Sequence, residues 1–181
     1  MDERIMVFID GSNAYHIIKR LVPDRNPGDF NFEKLIKYLI KDKKLITIYY
    51  YNCPLDRTKN LKLYISQQRF FEKLRRISNF KLVLCRMQKV KIHGRIEYRV
   101  KEDDIHLAVD MVKLAYKNSY DTVILISSDG DFVPAVKAVQ EKGKKVENIG
   151  FENKFSYHLK QECDKFRKIN KETCIKFFDE K

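Results

Sequence analysis

Four apolar residues, Val123, Ile124, Leu125 and Ile126, run unbroken into Ser127-Ser-Asp129-Gly130-Asp131-Phe132. A short apolar run bounded by small and acidic residues predicts a strand covered on both faces. Parallel sheets need such strands, whereas half-solvated antiparallel ones show alternation. Phe132 to Val139 continue at helical spacing, so Asp129 and Asp131 fall in a strand-to-helix turn whose tightness Gly130 is expected to permit. Open α/β sheets keep their ligand sites at such strand ends.

The same arrangement opens the chain. Ile5 to Ile9 form an apolar run that stops at Asp10-Gly11-Ser12-Asn13, and a helix is predicted from Ala14 to about Leu21. Asn31 caps a helix whose Phe32, Leu35, Ile36, Leu39 and Ile40 share one face. Further strands are predicted over Leu45 to Tyr51, Phe80 to Cys85 and Lys145 to Ile149, and helices over Lys59 to Ile77, Asp103 to Tyr116 and Asp131 to Gln140. Asn153 to Ile169 reads as a closing helix. Val90 to Val100 alternates around His93-Gly94, a hairpin pattern with a basic polar face. Strands alternating with helices imply an α/β fold: a mostly parallel central sheet of about five strands, helices on both faces, and a basic β-hairpin as an excursion. We expect a single domain over residues 1–181, with its core at about 4–169 and a C-terminal extension over 170–181.

Lys and Arg total 37 against 25 Asp and Glu, a net charge of +12 that favours a polyanionic partner, nucleic acid first. No apolar run approaches the roughly 20 residues of a membrane span, and a soluble, cytoplasmic chain is expected. Cys53, Cys85, Cys163 and Cys174 show no C-x-x-C pairing and read as reduced thiols rather than zinc ligands.

Against this basic background, Asp10, Asp129 and Asp131 come from strand ends. Asp104 starts a helix whose Ile105, Leu107, Ala108, Met111, Val112 and Ala115 define a wide apolar face. Asp104 falls within that face, while Asp110 lies on the polar side with His106, Lys113 and Lys117 and reads as a solvated or structural acid. Converging carboxylates repel unless a cation sits among them, and hard oxygen donors select Mg²⁺ or Mn²⁺. Such an ion activates water in phosphodiester hydrolysis. The bland alternative is that each Asp merely caps its own helix or turn.

Three ordered motifs carry a resemblance. Val7-Phe-Ile-Asp10-Gly-Ser-Asn13, Lys101-Glu-Asp-Asp104-Ile-His-Leu-Ala-Val-Asp110 and Ser127-Ser-Asp129-Gly-Asp131-Phe-Val-Pro134, with Gly143-Lys-Lys-Val and Ile149-Gly150, resemble the NYN domains of the PIN-like metal-dependent nucleases, LabA-like bacterial proteins included. The match covers about Ile5 to Phe166. It implies a Rossmann-like PIN fold, Mg²⁺ or Mn²⁺ as cofactor, and single-stranded or structured RNA as substrate. By motif position Asp10, Asp104 and Asp129 look like the metal-binding acids, with Asp131 supporting them; Asn13 would orient a water or phosphate. The family often has a Gly-Val pair where this chain has Glu102-Asp103, so Asp103 could serve as a substitute ligand. Ser128 stands where Gly is common, and the family motif also carries an acid at Asp110.

Lys89, Lys91, Arg95, Arg99 and Lys101, with Tyr98, are candidates to grip RNA phosphates and stack a base. The helix bearing Arg69, Arg75 and Arg76 is a second candidate surface. His16, His93, His106 and His158 lack metal-ligand spacing. Two rival readings accompany the ribonuclease: a non-catalytic metal-containing RNA-binding or regulatory module, and a haloacid-dehalogenase-type phosphatase. The latter needs an acid two residues beyond Asp10, where Ser12 stands. A homodimer is a further expectation.

Overall fold

The chain enters the sheet at its centre. A computed structural model describes residues 3–92, 95–100 and 102–179, the side chains of 87–100 excepted. β1 (Arg4–Asp10) leads through α1 (Gly11–Leu21) and α2 (Phe32–Ile40) to β2 (Lys44–Asn52), and then through α3 (Leu61–Arg75) to β3 (Phe80–Leu84). A hairpin of β4 (Met87–Ile92) and β5 (Arg95–Val100) precedes α4 (Asp103–Tyr116), which returns the chain to β6 (Thr122–Ile126). The chain continues as α5 (Val133–Glu141), β7 (Lys145–Phe151), α6 (Tyr157–Glu162), β8 (Lys165–Ile169) and α7 (Lys171–Ile175).

Among the described residues six strands form one sheet in the order β3-β2-β1-β6-β7-β8, and every neighbouring pair is parallel. The first three strands step outward one way, and β6 starts again on the other side of β1. That reversal is the topological switch point, where adjacent connections leave in opposite directions and open a crevice at the strands' carboxyl ends.

Alternation along β1 feeds two cores. Ile5, Val7 and Ile9 pack beneath α1 and α2, while Met6 and Phe8 pack toward α4 and α5 through Leu107, Met111, Val136 and Val139. Each such large side chain contributes about 1.5–3 kcal/mol on burial, which is why both faces of β1 and β6 are apolar. The last turn belongs to the first of these cores: Phe177 and Phe178 are buried edge-on against Phe30.

The sheet has one strand more than the sequence pattern predicts, because Asn153 to Ile169 is not one helix. Phe155, Leu159, Cys163 and Phe166 fall at helical spacing, yet Ser156 caps only the short α6, and Cys163 is extended. Asp164 then accepts hydrogen bonds from the Val146 backbone N–H at 2.8 Å and from Gln140 at 3.0 Å, holding the chain at the sheet edge. Lys165 to Ile169 pair with Glu147 to Phe151. The hairpin forms as expected, with Lys89 opposite Tyr98 across an antiparallel ladder. Ile105, assigned to the buried face of α4, is 66% exposed. No helix among the described residues is long and apolar enough to cross a membrane.

Candidate active site

The switch point is closed by side chains of the two loops it separates. In the β1–β6 register Ile9 faces Ile126, so the next residues on each strand, Asp10 and Ser127, meet. Ser127 donates its hydroxyl to Asp10 Oδ2 at 3.0 Å and accepts from the Asp129 backbone N–H at 3.1 Å. Asp10 Oδ1 caps α1 by accepting from the Asn13 N–H at 3.0 Å. Asn13 Oδ1 in turn accepts from the Ser128 N–H at 3.0 Å, and Ser128 donates its hydroxyl to the Lys154 carbonyl at 3.1 Å. Asp10 is therefore held at both carboxylate oxygens and is only 5% exposed.

Gly11 makes this approach possible. A Cβ on it would lie 2.4 Å from the Tyr50 ring and 2.6 Å from the Tyr51 carbonyl oxygen, so β1 could not turn into α1 beside β2. The Tyr50 hydroxyl donates to the Gly11 carbonyl at 3.3 Å, and Asn52 at the end of β2 accepts from Ser12 at 3.4 Å. Gly130 has a different reason to be small. It does not adopt the left-handed conformation; a Cβ there would come within 3.3 Å of Ser156 Oγ and 3.5 Å of His158 Nδ1.

Burial pushes the Asp10 carboxyl up to about 7, helped by the negative charges of Asp104 and Asp103, although its two hydrogen bonds pull the other way. Asp104 rises to about 6, through partial burial first and then through Asp103, Asp129 and Asp131. Asp104 thus links two sets of acids, acting on Asp10 on one side and feeling Asp129 and Asp131 on the other, with Asp103 acting on both Asp10 and Asp104. Asp103 is buried at the start of α4, Asp104 and Asp131 are exposed, and Asp129 lies between, its Oδ1 accepting from the Asp131 N–H at 3.0 Å.

Among the described residues no three acidic, His or Cys side chains stand close enough to enclose a metal ion as placed. The donor chemistry nevertheless fits a hard divalent cation. The donors are carboxylate oxygens, and their mutual repulsion is what a cation relieves.

Asp110 lies apart from this group, accepting from the Tyr51 hydroxyl at 3.0 Å, which gives it a structural partner. Glu102 precedes Asp103 and Asp104 with φ 88°, a left-handed conformation natural to glycine and unfavourable for glutamate. The proposed RNA contacts at Lys89, Lys91, Arg95, Tyr98 and Arg99 involve side chains outside the described set, and Lys101 lies outside it altogether. All four cysteines are free and buried. Burial raises their thiols to about 11 for Cys85 and about 12 for Cys53, Cys163 and Cys174, so they stay protonated and inert.

Ser127 is the residue that motif reading passed over. It carries no charge, and its bridging role depends on the β1–β6 register. Its position as the first polar residue after the buried run was the available signal.

The sequence profile of the NYN domain matches residues 4–170. The chain belongs to the NYN domain family. NYN domains are part of the PIN-like nuclease superfamily, whose members generally use divalent metals, and NYN nucleases generally act on RNA. An uncharacterised protein of Methanocaldococcus jannaschii is 39% identical over 69 residues, spanning 38% of this chain and 29% of that protein. The low amplitude and bright protein LabA of Synechococcus elongatus is 24% identical over 172 residues, 92% of this chain and 84% of LabA. A crystal structure of a Vibrio parahaemolyticus protein of unknown function superposes with a TM-score of 0.71 at 25% identity, covering 93% of this NYN chain and 94% of that one.

Proposed function

We propose that this NYN domain is a divalent-metal-dependent ribonuclease that hydrolyses RNA phosphodiester bonds. The observation that carries the reading is the buried, doubly hydrogen-bonded Asp10 at the switch point of the sheet, facing the charges of Asp104 and Asp103, with Asp104 in turn facing Asp129 and Asp131. A Mg²⁺ or Mn²⁺ ion held by Asp10, Asp104 and Asp129, with Asp131 in support, would supply activation of water and neutralise charge on the scissile phosphate. The chain's own residues do the positioning. Ser127 fixes the Asp10 carboxylate and, through the Asp129 N–H, the start of the second acidic turn. Asn13, its Oδ1 engaged by Ser128, has its Nδ2 amide to donate to a phosphate oxygen or a water. The net charge of +12 draws a polyanion toward the basic hairpin strands, where Lys89, Lys91, Arg95, Tyr98, Arg99 and Lys101 are the proposed RNA contacts. Reduced thiols support a cytoplasmic setting.

The test is cleavage of labelled single-stranded and hairpin RNA by purified protein in Mg²⁺, Mn²⁺ or EDTA, beside Asp129→Asn. Asparagine keeps an oxygen to accept the Asp131 N–H, so the fold and RNA affinity should remain near wild type while metal-dependent cutting disappears. Wild-type cutting by the variant would refute the site. Binding without cutting by the native protein in both metals would replace the nuclease with a non-catalytic RNA-binding module.

A further inference from the structure

α4 is apolar on both sides. Leu107, Met111 and Ala115 face the core, whereas Ile105, Val109 and Tyr116, on the opposite side, are 66%, 56% and 58% exposed. An exposed apolar stripe rimmed by polar residues marks an interaction surface. The exposed face is shaped as well as apolar. Its C-terminal half, with α5, forms a shallow groove of about 420 Å³ lined by Ala108, Val109, Val112, Lys113, Tyr116 and Ala135, while Ile105 projects from its N-terminal half. Knob and hole therefore lie on one helix, at opposite ends of one stripe.

Charge follows the same polarity. On the flank beside the stripe Glu102 sits at the N-terminal end, its carboxylate 3.9 Å from His106 on that flank, and Lys113 and Lys117 follow at the C-terminal end at about 100° per residue. Two copies of a helix packed antiparallel about a two-fold axis bring like flanks together in reversed order. Parallel packing brings unlike flanks together. Only the antiparallel arrangement sets Glu102 of each copy against the lysines of the other and drops each Ile105 into the opposite groove, with Val109 near the axis. A net charge of +12 per chain opposes association at long range, but salt screens it beyond about 8 Å.

We propose that the exposed face of α4 is an isologous interface with a second copy of this chain, Ile105 entering the α4–α5 groove in both directions. The interface begins one residue from Asp104, so the two candidate active sites lie at opposite ends of the shared helix pair.

Sedimentation equilibrium of the full chain tests this across a concentration series at low and high salt. The wild type should reach twice the chain mass and hold it at high salt. Ile105→Asp, a change at an exposed position that leaves the fold intact, should weaken association roughly 30-fold or more. Lys117→Glu should weaken it less, and Glu102→Lys in the same chain should restore it. Val109→Cys should form a disulfide-linked dimer on mild oxidation, because the cysteines would meet at the axis. A wild type that stays monomeric throughout overturns the proposal, as does a dimer indifferent to Ile105→Asp. A monomer whose RNA affinity falls in Ile105→Asp also overturns it, assigning the stripe to nucleic acid.

Discussion

Replacing Asp10 by asparagine should stabilise the metal-free protein at alkaline pH while destroying its candidate site. The Asp10 carboxyl titrates at about 7 in the fold against 3.8 for an unperturbed group, chiefly because it is buried. Ionisation is harder in the folded chain, so the contribution of this group to stability is complete below about pH 4 and is lost as pH rises through about 7. At about 1.4 kcal/mol per tenfold, the folded state carries a penalty of about 4 kcal/mol at pH 8. The asparagine removes the charge and keeps an oxygen for the Asn13 N–H, but gives up the acceptor for the Ser127 hydroxyl, a loss of about 1 kcal/mol. The net gain of about 3 kcal/mol corresponds to a rise of roughly 6–12 °C in Tm for a chain of this size. Thermal and urea unfolding in EDTA at pH 8 and pH 4 measure it. Magnesium should narrow the gap at pH 8 by stabilising only the wild type. A variant that melts at or below wild type at pH 8, or a gap that persists at pH 4, refutes the assignment of a strained, buried carboxylate.

Gly11→Ala should destabilise the fold by about 3 kcal/mol or more, since its methyl must displace the buried Tyr50 ring and a backbone carbonyl; urea unfolding will read it. Glu102→Gly should stabilise by about 1 kcal/mol by relieving a left-handed φ of 88°, visible as a higher denaturation midpoint with an unchanged slope. Asp129→Asn should abolish metal-dependent RNA cleavage with little change in Tm or RNA affinity, checked by gel assay and thermal melt together.

The central strands were legible because β1 and β6 are buried on both faces and so carry short, unbroken, β-branched-rich apolar runs bounded by small and acidic residues. α2 was legible through its cap, as Asn31 accepts from the Lys34 N–H at 3.0 Å. β8 was not. Its Phe166 continues a helical spacing set by Phe155, Leu159 and Cys163, and only pairing with β7, a contact across some twenty residues, decides the matter. Asp10, Asp129 and Asp131 stood out because charge is conspicuous after apolar runs. Asp103 drew notice only as a substitute ligand suggested by the family pattern; its burial at the start of α4, just after a left-handed Glu102, was not legible, since glutamate gives no reason to expect that conformation. The exposure of Ile105 escaped for a related reason. Periodicity tells which residues are apolar together, while which of two apolar faces meets the sheet depends on how the whole helix docks.

The hydrogen bond between Ser127 and Asp10 joins residues 117 positions apart. During synthesis the ribosome delivers β1, β2 and β3 long before β6, so a nascent chain can pair three strands while the inner flank of β1 waits. Asp10 has no serine to hold it, and no neighbouring turn of acids, until translation has passed Asp131. The two halves of the acidic group therefore meet in one late step, the insertion of β6, and a chain cut short of that strand has no site, however well its first three strands pair.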